Sequence, residues 1–241
     1  MELFTDAIAQ AIRLLASFDA YVFQILWRSI QVSGGAMVVA ILVGLPIGVL
    51  LGVTRFRGRQ ALVALVYTGF ALPPVVIGLL VYLLLSRQGP IGGLEILFSP
   101  TAMVMAQALL AAPYVAGVSL AAVQAVPPGV RLQARALGAS RSRALWMQVR
   151  EARLGIFAAM IAGFGAVISE VGAAMMVGGN IAGETRVLTT AIVLETRRGN
   201  FETAMALGFI LLAIVLVVNV LLTRVQQGPA WQAAVTERPW A

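Results

Sequence analysis

The chain contains no cysteine and no histidine. Disulfides and thiolate metal sites are therefore excluded, and so is the commonest general base and metal ligand. Lysine is missing as well, so all 17 basic side chains are arginine. The glycine-rich phosphate loop that ends in Lys-Ser or Lys-Thr needs its lysine to reach the β- and γ-phosphates. This chain cannot carry that ATP site, and if the machine it serves runs on ATP, another subunit hydrolyses it. Charge is scarce too. Only 11% of the 241 residues are charged while 60% are hydrophobic, more apolar surface than a soluble domain of this length can hide.

The remaining polarity is unevenly spread. The formal charge is +7, but the arginines follow the loops and build no broad basic face with interleaved aromatics. That favours a membrane protein with basic cytoplasmic loops over a nucleic-acid binder. Glu2 and Asp6 stand where a signal peptide would be positive, so no cleaved leader is expected. Residues 3–18, with Asp6 and Arg13 on an apolar stretch, read as an interfacial helix or a frayed extension.

Five runs reach the roughly 20 apolar residues that a membrane helix needs: 30–54, 61–86, 100–125, 154–178 and 203–223. The first has room to start near Tyr21, with Trp27 and Arg28 as interfacial anchors. The expected architecture is all-α, a single transmembrane domain over 1–241 with about five spans. Arg55, Arg57, Arg59, the arginines of 126–153, Arg224 and Arg238 all fall on one side, opposed by Glu151 and Glu237. Glu2, Asp6, Asp19, Glu95, Glu184, Glu195 and Glu202 fall on the other. Basic loops stay in the cytoplasm, so the N-terminus is expected outside and the C-terminus inside. Within the outer link 179–202, Val187, Leu188, Ala191, Ile192 and Leu194 suit one face of a short helix at the mouth of the bundle. No internal repeat is visible, which weighs against an inverted-repeat secondary transporter.

Inside the spans, Pro73-Pro74 should kink or break the second helix, with Pro46 and Pro113 doing likewise in the first and third. Such breaks serve a path as readily as static packing. Gly44, Gly48 and Gly52, spaced by four, fit close helix packing. Gly163, Gly165, Gly172, Ala173 and Ala174 make the fourth span slim and place it centrally. Glu170 is the ionisable residue within a span. It reads either as a path or gating group or as a structural carboxylate, paired with an arginine or accepting backbone N–H bonds. A fixed negative charge repels an anionic cargo, which favours the structural role if the cargo is an anion. Met175 and Met176 beside Gly178-Gly179 make a deformable gate or plain packing.

The most informative segment is the inner link. Leu132-Gln133-Ala134-Arg135-Ala136-Leu137-Gly138-Ala139-Ser140 reads as a helix, a small-residue break and the start of a second helix, flanked by Arg131, Arg141, Arg143, Arg150 and Arg153. A compact knob of this kind suits a groove on a soluble partner. The segment resembles the coupling segment of type I ABC importer permeases, whose pattern is Glu-Ala-Ala, three residues, Gly. Ala134 and Gly138 hold that pattern, whereas Leu132 and Gln133 replace its Glu and first Ala. Val149-Arg150-Glu151-Ala152-Arg153 stands where an apolar residue and Leu-Pro are usual. The stretch Ile168–Ile181 with Thr185–Ile192 resembles the oxyanion branch, tungstate permeases before molybdate and sulphate permeases, and Leu72-Pro73-Pro74 agrees.

The resemblance implies a type I ABC importer transmembrane domain in a bacterial or archaeal plasma membrane, working as a homodimer. It implies ABC ATPase subunits that hold ATP and Mg, and an extracytoplasmic binding protein that delivers the oxyanion. Leu132, Ala134, Arg135, Ala136, Leu137, Gly138, Ala139 and Ser140 would couple to the ATPase, Leu132 and Leu137 as apolar anchors. Ser169, Glu170, Met175, Met176, Asn180, Arg186, Thr189 and Thr190 are candidates for the path. In particular, Ser169, Asn180, Thr189 and Thr190 carry suitable donors, and Arg186 either attracts the anion or pairs with Glu184 or Glu170. The chain itself is expected to have no enzymatic, metal or cofactor site. The competing classes are a stand-alone secondary transporter or channel and a membrane enzyme, and the enzyme has few groups to be built from.

Overall fold

Backbone N–H and C=O groups find no water in hydrocarbon, so a spanning chain must satisfy them internally. A computed structural model of the chain, which describes residues 2–226, does this with helices alone and shows no strand among those residues. Glu237 and Arg238, assigned above to the inner side, lie outside the described residues. The order is α1 (Glu2–Ala16), α2 (Ala20–Val53), α3 (Arg59–Thr68), α4 (Pro74–Leu85), α5 (Pro100–Ala125), α6 (Pro128–Ala136), α7 (Arg141–Glu151), α8 (Arg153–Ile168), α9 (Gly172–Gly178), α10 (Leu188–Arg197) and α11 (Phe201–Gln226).

Three helices, α2, α5 and α11, are long and apolar enough to cross a membrane unbroken. Two bent pairs, α3 with α4 at 102° and α7 with α8 at 55°, bring the number to five if each pair counts as one span. The first bend sits at the proline pair, as expected. Leu72 and Pro73 both take extended backbone, with ψ of 121° and 125°, and α4 restarts with Pro74 at its first position. A residue before proline is pushed out of the helical region, and proline has no N–H to continue a helix.

Of the kink or break expected at Pro46 and Pro113, the break does not occur: both lie inside continuous α2 and α5. The local penalty is outweighed by packing, because α2 and α5 form the most extensive helix pair. A Cβ at Gly48 would overlap the Ala116 carbonyl, and one at Gly44 or Gly52 would strike α5 at Ala112 or Val123. The glycine row is thus the seam of the central pair. The fourth run, 154–178, is not one helix. α8 ends at Ile168, residues 169–171 leave the helix, and α9 begins at Gly172. Glu170 and Thr189, 19 residues apart, supply side-chain hydrogen bonds that let the backbone break inside protein.

The first span begins at Ala20, capped by Asp19, whose carboxylate accepts the Val22 N–H at 3.0 Å. At 34 residues it is about 50 Å long, well beyond a ~30 Å hydrocarbon core. α8 is central, as its small residues suggested, packing on α5, α2 and α11. The core lies around α5: Met103, Ala106 and Leu110 meet α4 and α9, while Ala111 and Val115 meet α2 and α8. A second cluster joins Ala11, Ile25, Leu188 and Leu207 from α1, α2, α10 and α11. α10 is the short mouth helix expected from its apolar face, with Leu188 and Ala191 fully buried.

One end of the bundle gathers arginines from two separate links. Arg55 and Arg59 line the same cavity as Arg131 and Arg141. At that end, too, Gln226 at the foot of α11 donates to the Leu154 carbonyl. At the opposite end Gln10 reaches Thr203, and Gln24 reaches the Gly183 carbonyl.

Candidate functional sites

The knob at the arginine-rich end is built by two caps. Helix α6 closes on Gly138, whose φ of +86° is a left-handed conformation that glycine adopts without strain. The Gly138 N–H donates to the Arg135 carbonyl (3.0 Å) and the Ala139 N–H to the Ala134 carbonyl (2.9 Å), which satisfies the last turn. Two residues on, the Ser140 hydroxyl accepts the Arg143 N–H at 3.3 Å and starts α7. Ala134 (3% exposed) and Ala144 (1%) are the buried residues at this two-helix junction, so Ala134 holds the knob together and is not available to a partner.

The outward face is apolar where it should be polar. Leu137 is 89% exposed and Leu132 68%, and a Cβ at Gly138 would meet nothing within 4 Å. Arg135, Ala136 and Ser140 are exposed around them and Ala139 is half-buried. On α7, Trp146 is 60% exposed with the Arg150 guanidinium 5.4 Å from its ring centre, and Met147 is exposed beside it. Sequence reasoning passed over Trp146 and Met147. A Trp and a Met in a helix otherwise rich in arginine were the available signal, since aromatic, Met and Arg side chains are enriched where proteins meet.

The opposite end contains most of the path candidates, and nearly all are already committed. The Glu170 carboxylate accepts the Ala173 N–H at 2.8 Å, capping α9, and its carbonyl accepts the Thr189 hydroxyl at 3.0 Å. Thr190 bonds to the Val187 N–H and carbonyl, closing the first turn of α10 on itself. Arg186 pairs with neither Glu184 nor Glu170. Its guanidinium donates to the Asn180 side chain (3.2 Å), the Asn180 carbonyl (3.2 Å) and the Tyr21 hydroxyl (3.0 Å). Asn180 in turn donates to the Thr190 carbonyl, and Thr185, which sequence reasoning did not single out, joins Ile181 to Gly178 through its buried hydroxyl. Glu170 with Thr189, and Asn180 with Arg186 and Thr190, thus form two hydrogen-bonded groups, together a lattice continuous only through the backbone of residues 189 and 190. Ser169, exposed and donating to the Gly165 carbonyl at 2.7 Å, and half-buried Met175 and Met176 stand apart from it. Met176 packs beside Gly78 of α4.

Residues 44–228 match the family described as the inner membrane component of binding-protein-dependent transport systems. The chain belongs to this family. The permease is 46% identical over 206 residues to a probable anion ABC transporter permease protein of Haloferax volcanii, covering 83% of this chain and 89% of that one. It is 36% identical over 227 residues to the tungstate uptake system permease protein TupB of Peptoclostridium acidaminophilum, covering 94% and 100%. Its fold is shared with a chain in the crystal structure of an amino acid ABC transporter with histidines, at a TM-score of 0.64 and 21% identity over 88% of this chain and 94% of that one. The matched region of the permease begins inside α2 and takes in the glycine seam, the proline break, the knob and the lattice. As an inner-membrane transport component, the permease is a multi-pass membrane protein and not an enzyme.

Proposed function

We propose that this permease is the transmembrane subunit of an ATP-driven importer that takes up an oxyanion, tungstate foremost, handed over by an extracytoplasmic binding protein. The observation that carries the reading is family membership combined with an exposed apolar knob at the arginine-rich end. The arginine excess puts that end in the cytoplasm, with the N-terminus outside and the C-terminus inside. Leu132 and Leu137 enter a groove on an ABC ATPase, which binds ATP and Mg, and Arg135, Ala136, Gly138, Ala139 and Ser140 shape the contact. The similarity to an anion permease and a tungstate permease supports the cargo class.

Two copies related by a twofold axis enclose the path. Ser169 is exposed and Met175 and Met176 are half-buried in the single chain, as residues facing a second copy would be. The latticed residues Glu170, Asn180, Arg186, Thr189 and Thr190 hold the wall of that path in shape. Transit needs weak contacts, since tight binding stalls release.

Reconstitution with the ATPase and binding protein in liposomes tests the whole reading. ATP-dependent tungstate uptake that molybdate and sulphate compete with poorly is the expected result. Uptake preferring molybdate or sulphate reassigns the cargo within the family. Uptake driven by an ion gradient without ATP would make the protein a secondary transporter and sink the proposal.

A further inference from the structure

A cavity of about 1000 Å³ lies between the α2–α3 link and the knob. Arg55, Arg59, Arg131 and Arg141 line it, and no carboxylate does. None of the four forms an ion pair among the described residues. Arg59 is anchored through its Nε to the Leu51 carbonyl at 2.8 Å, which fixes the guanidinium at the cavity wall and leaves its outer nitrogens without a carboxylate. Four guanidinium groups around one recess repel one another, and a recess with low-dielectric walls concentrates their field. The fork of an arginine matches the oxygens of a phosphate.

The place of the recess in the bundle narrows the ligand further. It opens at the foot of a spanning helix, where Leu50 (58% exposed) and Phe56 (47%) lie beside the arginines. Exposed apolar side chains next to arginines form a basic pocket of the kind that holds anionic headgroups between membrane helices.

We propose that this recess binds a phosphate group, supplied by the headgroup of an anionic membrane lipid or by free phosphate. A bound headgroup would bridge the α2–α3 link to the foot of the knob, so that the lipid braces the element through which the ATPase acts.

The test uses the permease purified with its ATPase, in nanodiscs of phosphatidylcholine with or without phosphatidylglycerol. Mass spectrometry counts lipids retained after delipidation, and a calorimetric titration in pure phosphatidylcholine measures inorganic phosphate binding. Preferential retention of phosphatidylglycerol identifies the lipid as the source, and heat from inorganic phosphate alone identifies the free anion. In the double variant Arg55→Gln, Arg131→Gln, whichever signal is present should fall by roughly twenty-five-fold, since each arginine beside an anionic group contributes a factor of about five. Circular dichroism confirms that the variant is folded. If neither probe separates the variant from the parent, or if the variant retains its lipid but loses the ATPase, the recess is no phosphate site and the proposal fails.

Discussion

The two ends of the bundle treat their side chains in opposite ways. At the knob, two leucines and a tryptophan stand in solvent, and Gly138 has open space where a side chain would go. At the far end, the polar groups of 170–190 are spent within the chain, Thr189 on Glu170 and Arg186 on Asn180 and Tyr21. Both segments are built from turns and short helices. The knob spends its caps on fixing a shape and leaves its contact groups free, as a surface that must bind does. The far end leaves few groups free, as a wall that must not deform or hold its cargo does. The two ends are joined by α5 and α8, which pack closely on one another.

The comparison breaks most sharply at the knob. Leu137→Asp should leave thermal stability of the permease unchanged, because the side chain touches little of its own chain. It should cost about 2–3 kcal/mol or more in ATPase docking, from lost apolar burial and a desolvated charge. Gly138→Asp should lose docking too, but at a φ of +86° its side chain is strained, so this variant should also melt somewhat below the parent. Co-purification of tagged ATPase reads both. Normal recovery of ATPase with either variant would remove the knob from the coupling role.

The connection between the ends is tested by Gly48→Leu. The new side chain has nowhere to go but into the Ala116 backbone. Overpacking the central seam should cost about 3 kcal/mol of stability and lower the yield of folded protein. A variant that melts with the parent would mean that α2 and α5 are free to separate.

At the far end the effects should be smaller and should distinguish shape from charge. Glu170→Ala removes the acceptor for the Ala173 N–H and should cost about 1–2 kcal/mol. Glu170→Gln keeps an acceptor oxygen and should recover most of the loss. If Gln is as damaging as Ala, the negative charge itself is needed and the capping account is incomplete.

How far the sequence revealed this difference depends on the range of the physics involved. The bend at Leu72-Pro73, the α6–Gly138–α7 turn and the seam of Gly44, Gly48 and Gly52 were readable because each follows from a local rule of backbone or spacing. The break at Ser169–Val171 was not, because its determinants lie 19 residues apart in Glu170 and Thr189. Pro46 and Pro113 leave their helices unbroken for a related reason: the local penalty is opposed by tertiary packing between α2 and α5. Among the path candidates, residue types suited to binding an anion are the same types that satisfy one another. Only coordinates show that Thr190 spends its hydroxyl on Val187 and that Arg186 spends its guanidinium on Asn180 and Tyr21.

The smallest effect sharpens the comparison most. Arg186 is half-buried and ties the 180–190 loop to the start of α2 through Tyr21, with its guanidinium also 5.9 Å from that ring's centre. As a clamp, it should cost only about 1 kcal/mol when replaced by alanine, because these hydrogen bonds are partly open to solvent. The signature is local: amides of 181–187 should exchange several-fold faster while the rest of the bundle is unchanged. Arg186→Lys should not restore protection, since a single ammonium group cannot serve Tyr21, the Asn180 side chain and its carbonyl from one plane. A residue that instead met the passing anion would give the reverse pattern, with unchanged exchange, impaired uptake and rescue by lysine's charge.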